Sequence, residues 1–197
     1  MAINLANNNS LANITALPSS ISGGAMTLLA TQTASSSSTI SFTSGIDDTY
    51  DKYVFKFYNI HPATDGVTFE FQGSTNGGST YGVTITSSVF QAYHQENDAG
   101  AGIQYATNND LAQSTSFQKI TGDLGNQNDE CGSGIVQLFN PSSTTFVKHF
   151  ITRENGQQNN EQSVNVFAAG YFNTTSAINA VQFKMSSGNF DGVIKLY

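Results

Sequence analysis

A chain of 197 residues suits one domain with a buried core, and a formal charge of −7 with only 7 Lys plus Arg disfavours binding to nucleic acid or to anionic membranes. Charged residues make up 11% of the chain, against roughly 25% in average soluble domains, and Ser, Thr, Asn, Gln and Gly take their place. Such side chains suit strand faces and turns better than helix surfaces, and no stretch approaches the ~20 apolar residues of a membrane span.

Residues 1–24 differ in character from the rest. Ile3, Leu5, Leu11, Ile14, Leu17 and Ile21 are spread among Asn, Ser and Ala. Ser10 is placed to cap a short helix carrying Leu11, Ile14 and Leu17, with Pro18 stopping it. Two helical turns are marginal in water on their own, so these six apolar residues predict an arm that is buried against a partner, with packing back onto its own sandwich as an extra strand or lid the alternative. Ser22-Gly23-Gly24 reads as its hinge. Residues 1–20 hold no Lys or Arg and no apolar run long enough for a signal peptide, so synthesis without export is expected.

From residue 25 the pattern is one of short strands. Met26–Thr33 alternates loosely, Ser35–Ser38 reads as a polar break, and Thr39–Thr43 alternates cleanly. Lys52–Tyr58 places Tyr53, Phe55 and Phe57 on one face. A turn is expected over 61–66, then a strand with Val67, Phe69 and Phe71 pointing inward. Asn76-Gly77-Gly78 is a strong hairpin signal, because φ > 0 is cheap at these residues. Strands follow at 81–86 and 89–94. Residues 95–130 are polar and Gly-rich, with strand character only near 103–105 and 117–121; long polar stretches of this kind usually carry function or subunit contacts. Strands return at 134–139, 145–151, 164–172, 178–185 and 193–197.

About ten to twelve short strands separated by frequent turns predict an all-β fold: a jelly-roll-like antiparallel β-sandwich over 25–197, with an extended N-terminal arm, 1–24, carrying at most one short helix.

Chemistry-bearing patterns are sparse. His61, His94 and His149 lie far apart and in no metal-ligand spacing. Cys131-Gly132-Ser133-Gly134 lacks the spacing of a nucleophile elbow, and no phosphate-binding loop or dinucleotide fingerprint occurs. Asp47, Asp48 and Asp51 read as turn carboxylates, not as a calcium loop. Cys131 sits beside Asp129 and Glu130, which favour an inert thiol. No cofactor or metal is expected, and no enzyme. Tyr93, Tyr105 and Tyr171 are candidates for stacking on sugar rings or filling subunit interfaces, with core packing as the alternative.

Five stretches, 44–50, 59–65, 74–81, 139–143 and 185–192, resemble a short structural protein family of marine tailed bacteriophages, tail-fibre-like or virion-decorating. Typical of them are Ser74-Thr75-Asn76-Gly77-Gly78-Ser79-Thr80-Tyr81 and Met185-Ser186-Ser187-Gly188-Asn189-Phe190-Asp191-Gly192. The similarity covers about residues 40–197, with the arm similar too. Its motifs are turns and strands, so it transfers no functional residue. It implies a virion location, other virion proteins as partners and a homo-oligomer, with a trimer favoured. A host surface glycan is a further candidate partner, and a glycan-cleaving tailspike a remoter alternative.

Overall fold

The computed structural model describes residues 26–197. Its strands are β1 (Ala30–Ser37), β2 (Thr39–Phe42), β3 (Lys52–Pro62), β4 (Phe69–Ser74), β5 (Ile85–Gln95), β6 (Ala101–Tyr105), β7 (Gln118–Lys119), β8 (Gly132–Phe139), β9 (Lys148–Gln158), β10 (Gln162–Phe172), β11 (Ala180–Met185) and β12 (Phe190–Leu196). There is no helix among the described residues. The predicted arm residues Ile3, Leu5, Leu11, Ile14, Leu17 and Ile21 lie outside them.

Two antiparallel sheets pack as a sandwich, one with eight strands in the order β1-β12-β3-β8-β9-β10-β5-β6 and one with four in the order β2-β11-β4-β7. The first four strands of the large sheet and the whole small sheet form a jelly roll. Their chain order, β1, β2, β3, β4, β7, β8, β11 and β12, alternates between the two sheets at every step but β4 to β7, which are neighbours in the small sheet, as that fold requires. Two hairpins are inserted into it. β5–β6 enters between β4 and β7, and β9–β10 between β8 and β11. Both extend the large sheet past β8, so four strands project beyond the jelly roll.

The core follows from strand alternation. Tyr53, Phe55 and Phe57 are all buried, as the period of two predicts. Phe183 on β11 is the centre, touching Phe42, Phe55, Phe69 and Phe71 with ring centroids 5.3–6.3 Å apart. Fully burying a Phe stabilises by about 1.5–3 kcal/mol, so this cluster is the main adhesive between the sheets. A separate small cluster, Val89, Val164, Val166 and Ala168, lies wholly in the inserted hairpins.

Several sequence expectations are corrected. Asn76-Gly77-Gly78 does turn, with φ of 70° and 87° at its glycines, but it joins strands of different sheets and makes no hairpin. Residues 81–84 are not strand; they bridge the sheets before β5 begins at Ile85. Ser35–Ser37 belong to β1, whose register slips between Ala34 and Ser37 while Ser36 takes φ 47°. β3 continues through Pro62, confining the turn to the residues after it. β9 begins at Lys148, later than expected, and runs on to Gln158, leaving Phe146 exposed in the preceding turn.

Candidate functional site

The projecting half of the large sheet is the part that the jelly roll does not need for its own closure. It offers an inner and an outer surface.

On the inner side the small sheet is too narrow to cover β5 and β6. The loop over residues 106–123 does so instead, and a cleft of about 490 Å³ remains between them. Gln91 and Gln104, directly opposite each other on β5 and β6, form its floor; Tyr105, Asn108, Asn109, Lys119, Asp123 and Gln158 form its walls. The loop is held by polar side chains, of which Gln72 and Gln118 are buried. Gln118 Nε2 donates to Asn109 O at 2.9 Å, Lys119 Nζ to Asn108 O at 3.2 Å, and Gln72 Nε2 to Ser116 O at 2.9 Å. These bonds engage the backbone carbonyls of Asn108, Asn109 and Ser116, and Asn108 and Asn109 both line the cleft. Tyr105 donates its hydroxyl to Asp110 Oδ2 at 2.7 Å, a bond that holds the phenol above its ordinary pKa. The lining is thus neutral amides and one charge of each sign, with Tyr105 at the rim, since its partner across the ladder is the outward-facing Phe90.

On the outer side, register places Phe90, Phe167 and Arg153 side by side across β5, β10 and β9. Phe90 and Phe167 stack with centroids 4.8 Å apart and planes within 5°, and the Arg153 guanidinium covers the Phe167 ring at 5.2 Å. Ile103 and Ile151 continue the strip, 80% and 48% exposed, with Phe90 at 47%. Tyr171 and His149 close it, ring to ring at 5.9 Å. Apart from Arg153 and the titratable His149, no charged side chain belongs to this strip. Exposed apolar residues joined in this way mark interaction surfaces more often than scattered ones do.

Of the tyrosines singled out in the sequence, Tyr105 is exposed at the cleft and Tyr171 half-buried on the outer strip. Tyr93 is half-buried against the Val89 cluster, on the inner face. Phe90, Phe167 and Ile103 escaped the sequence reading. An exposed phenylalanine in a strand looks the same as a buried one until its partner strands are known.

The acidic groups are dispersed. Asp47 Oδ1 accepts from Thr49 N and from the Tyr53 hydroxyl, both at 2.9 Å, which holds its carboxyl below the ordinary range and makes it a turn cap. Glu130 accepts from Gln127 N at 2.7 Å, inside a loop. Glu154 on β9 points into the core against Leu124 and the backbone of Gly132 and Gly156; neither carboxyl oxygen has a hydrogen-bond partner among the described residues. Burial pushes it well above the ordinary carboxylate range. Neither Glu130 nor Glu154 lines the cleft. His61, on β3, meets Gln127 O at 3.1 Å, and His94 pairs with Asp98 at 3.2 Å, so the three histidines remain apart. Among the described residues no three His, Cys, Asp or Glu side chains gather as a metal site would require.

No family model matches the chain, and neither a curated protein nor a solved structure matches it.

Proposed function

We propose that the protein is a non-catalytic structural component of a tailed-phage virion, homo-oligomeric and joined to other virion proteins through residues 1–24. The observation that carries this reading is the pair of inserted hairpins. A jelly roll closes its own core without them, and their outer face is an apolar strip on an otherwise polar, acidic chain. Added strands that expose Phe90, Ile103 and Ile151 cost stability in a monomer and are retained for contact. A second copy of the chain is the proposed occupant, because the strip holds no carboxylate and so keeps the acidic groups of two molecules of charge −7 out of the contact itself.

Deleting residues 1–24 tests the attachment. The shortened protein should keep its thermal transition and solubility and should disappear from purified particles analysed by mass spectrometry. Particles that carry it at full occupancy would overturn the reading.

The cleft favours a second reading, recognition of a neutral host glycan. Gln91, Gln104, Asn108 and Asn109 line it with amides, paired donors and acceptors of the chemistry that polyhydroxylated rings match. Saturation-transfer NMR with maltotriose and chitotriose as probes tests it. Signal that vanishes in Asn109→Ala supports the reading, and no signal from either sugar at millimolar concentration refutes it.

A further inference from the structure

We infer that two copies of the chain join edge to edge through β6, in one register, making a continuous sheet across a two-fold axis at Ile103. This rests on the reading that the projecting hairpins carry the contact between copies, and it names the contact.

The inference starts from the hydrogen-bond phase of β6. At the two ends of the β5–β6 pairing, Gln95 N donates to Gly100 O at 2.8 Å and Ala106 N to Val89 O at 2.9 Å. Antiparallel ladders alternate, so Gly102 and Gln104 also direct their backbone groups at β5. Ala101, Ile103 and Tyr105 therefore turn their N–H and C=O groups outward. Nothing among the described residues pairs with that edge.

Open edges are usually blunted by charge, proline, a bulge or shortness. The other sheet edges here show such devices: β1 is bulged at Ala34–Ser37, β2 has 4 residues and β7 has 2. β6 is regular, reads Ala-Gly-Ile-Gln-Tyr, and has neither charge nor proline. Its central residue, Ile103, is 80% exposed on the apolar strip, in register with Ala92 and beside Phe90.

A second copy is the partner that this edge fits. It carries no charge with which to select a foreign chain, and it is complementary to itself. Antiparallel pairing with Ile103 opposite its own counterpart also sets Ala101 opposite Tyr105 of the second copy, and Tyr105 opposite Ala101. All three outward residues then exchange both backbone bonds, and a small side chain faces a large one at each end. A shift of two residues in either direction leaves outward groups unpaired, so the register is determined. The two exposed Ile103 side chains meet on the axis and bury each other.

The full-length chain tests this. Ile103→Cys in a Cys131→Ser background should form a disulfide-linked dimer under mild oxidant. A hydrogen-bonded antiparallel pair sets its Cα atoms about 5.5 Å apart, within the reach of a disulfide. Gln104→Cys in the same background, pointing into the cleft, should not. In sedimentation equilibrium, Ile103→Lys should weaken self-association about tenfold or more with an unchanged thermal transition. The proposal fails if the wild-type chain is monomeric at about 100 μM. It also fails if Ile103→Lys associates as tightly as wild type, or if both cysteine variants cross-link equally. Cross-linking that appears only after residues 1–24 are deleted would make the arm the occupant of this edge and overturn the pairing. If Ile103→Lys is monomeric yet still enters particles, edge pairing stands and the oligomer is dispensable for attachment, so the two readings are judged separately.

Discussion

Replacing Glu154 by glutamine separates the effect of a buried ionisable group from the effect of its shape. In the folded chain the carboxyl is enclosed by Leu124, Gly132 and Gly156 with both oxygens unpartnered, and burial raises its pKa well above the ordinary range. In the unfolded chain it titrates near ~4.3. Below that value both states are protonated and nothing is lost. Above it the unfolded state ionises while the folded state does not, so stability falls by about 1.4 kcal/mol per pH unit until the folded pKa is reached. Glutamine has the same shape and no titration. Between pH 5 and pH 7 the variant should therefore gain steadily on wild type as the pH rises, with that slope as its ceiling. Glu70, also raised by burial, contributes to both proteins alike and cancels in the difference. Urea unfolding at pH 5, 6 and 7, compared at equal m-values, measures the gain. Stability profiles that run parallel across this range would refute the argument, because they would mean that Glu154 ionises as easily folded as unfolded.

Three further outcomes are expected. Phe183→Ala removes the ring on which Phe42, Phe55, Phe69 and Phe71 converge and should cost about 3–5 kcal/mol, read from chemical denaturation. Gly134→Ala should destabilise although its φ is ordinary: a Cβ there would stand 2.8 Å from the Glu154 Cα and from the Phe57 ring and would press on the Arg153 carbonyl, so a lowered melting temperature is expected, and an unchanged one would show that β8 and β9 can separate at no cost. Tyr53→Phe deletes the hydroxyl that bonds Asp47 N, O and Oδ1 at 2.9–3.1 Å, and should cost about 1–2 kcal/mol in the same assay while leaving strand content by circular dichroism unchanged.

The jelly-roll half of the molecule could be read from the sequence because its strands obey simple alternation. Tyr53, Phe55 and Phe57 on β3, and Val67, Phe69 and Phe71 around β4, point inward as an apolar face should. β9 could not be read that way. Its inner face is Lys148, Phe150, Thr152, Glu154 and Gly156, and four of those five residues are polar or glycine. The alternation of burial is perfect there, but hydrophobicity does not report it. Lys148 is tolerated inside because its ammonium donates to Phe146 O and Thr174 O at 3.0 and 3.1 Å. The site was hidden for a related reason. That Phe90 and Phe167 stack on an outer face depends on pairing residues 77 positions apart, which no local window contains. What the sequence did show was that residues 95–130 are irregular and polar, and that segment supplies both β6 and the loop over the cleft.

The placement of β12 also bears on how the chain is made. The last strand lies between β1 and β3, its neighbours on both sides, and carries Ile194 and Leu196 into the core. During translation the earliest strands therefore wait for residues 190–196 to leave the ribosome before the large sheet can close. Such long-range pairing folds slowly, and until it completes, the nascent chain exposes two unsatisfied edges and a cleft in its hydrophobic interior. A chain lacking β12 would therefore be an aggregation-prone product instead of a slightly weakened one. Residues 190–196 thus decide whether the first strands of the large sheet can be satisfied at all.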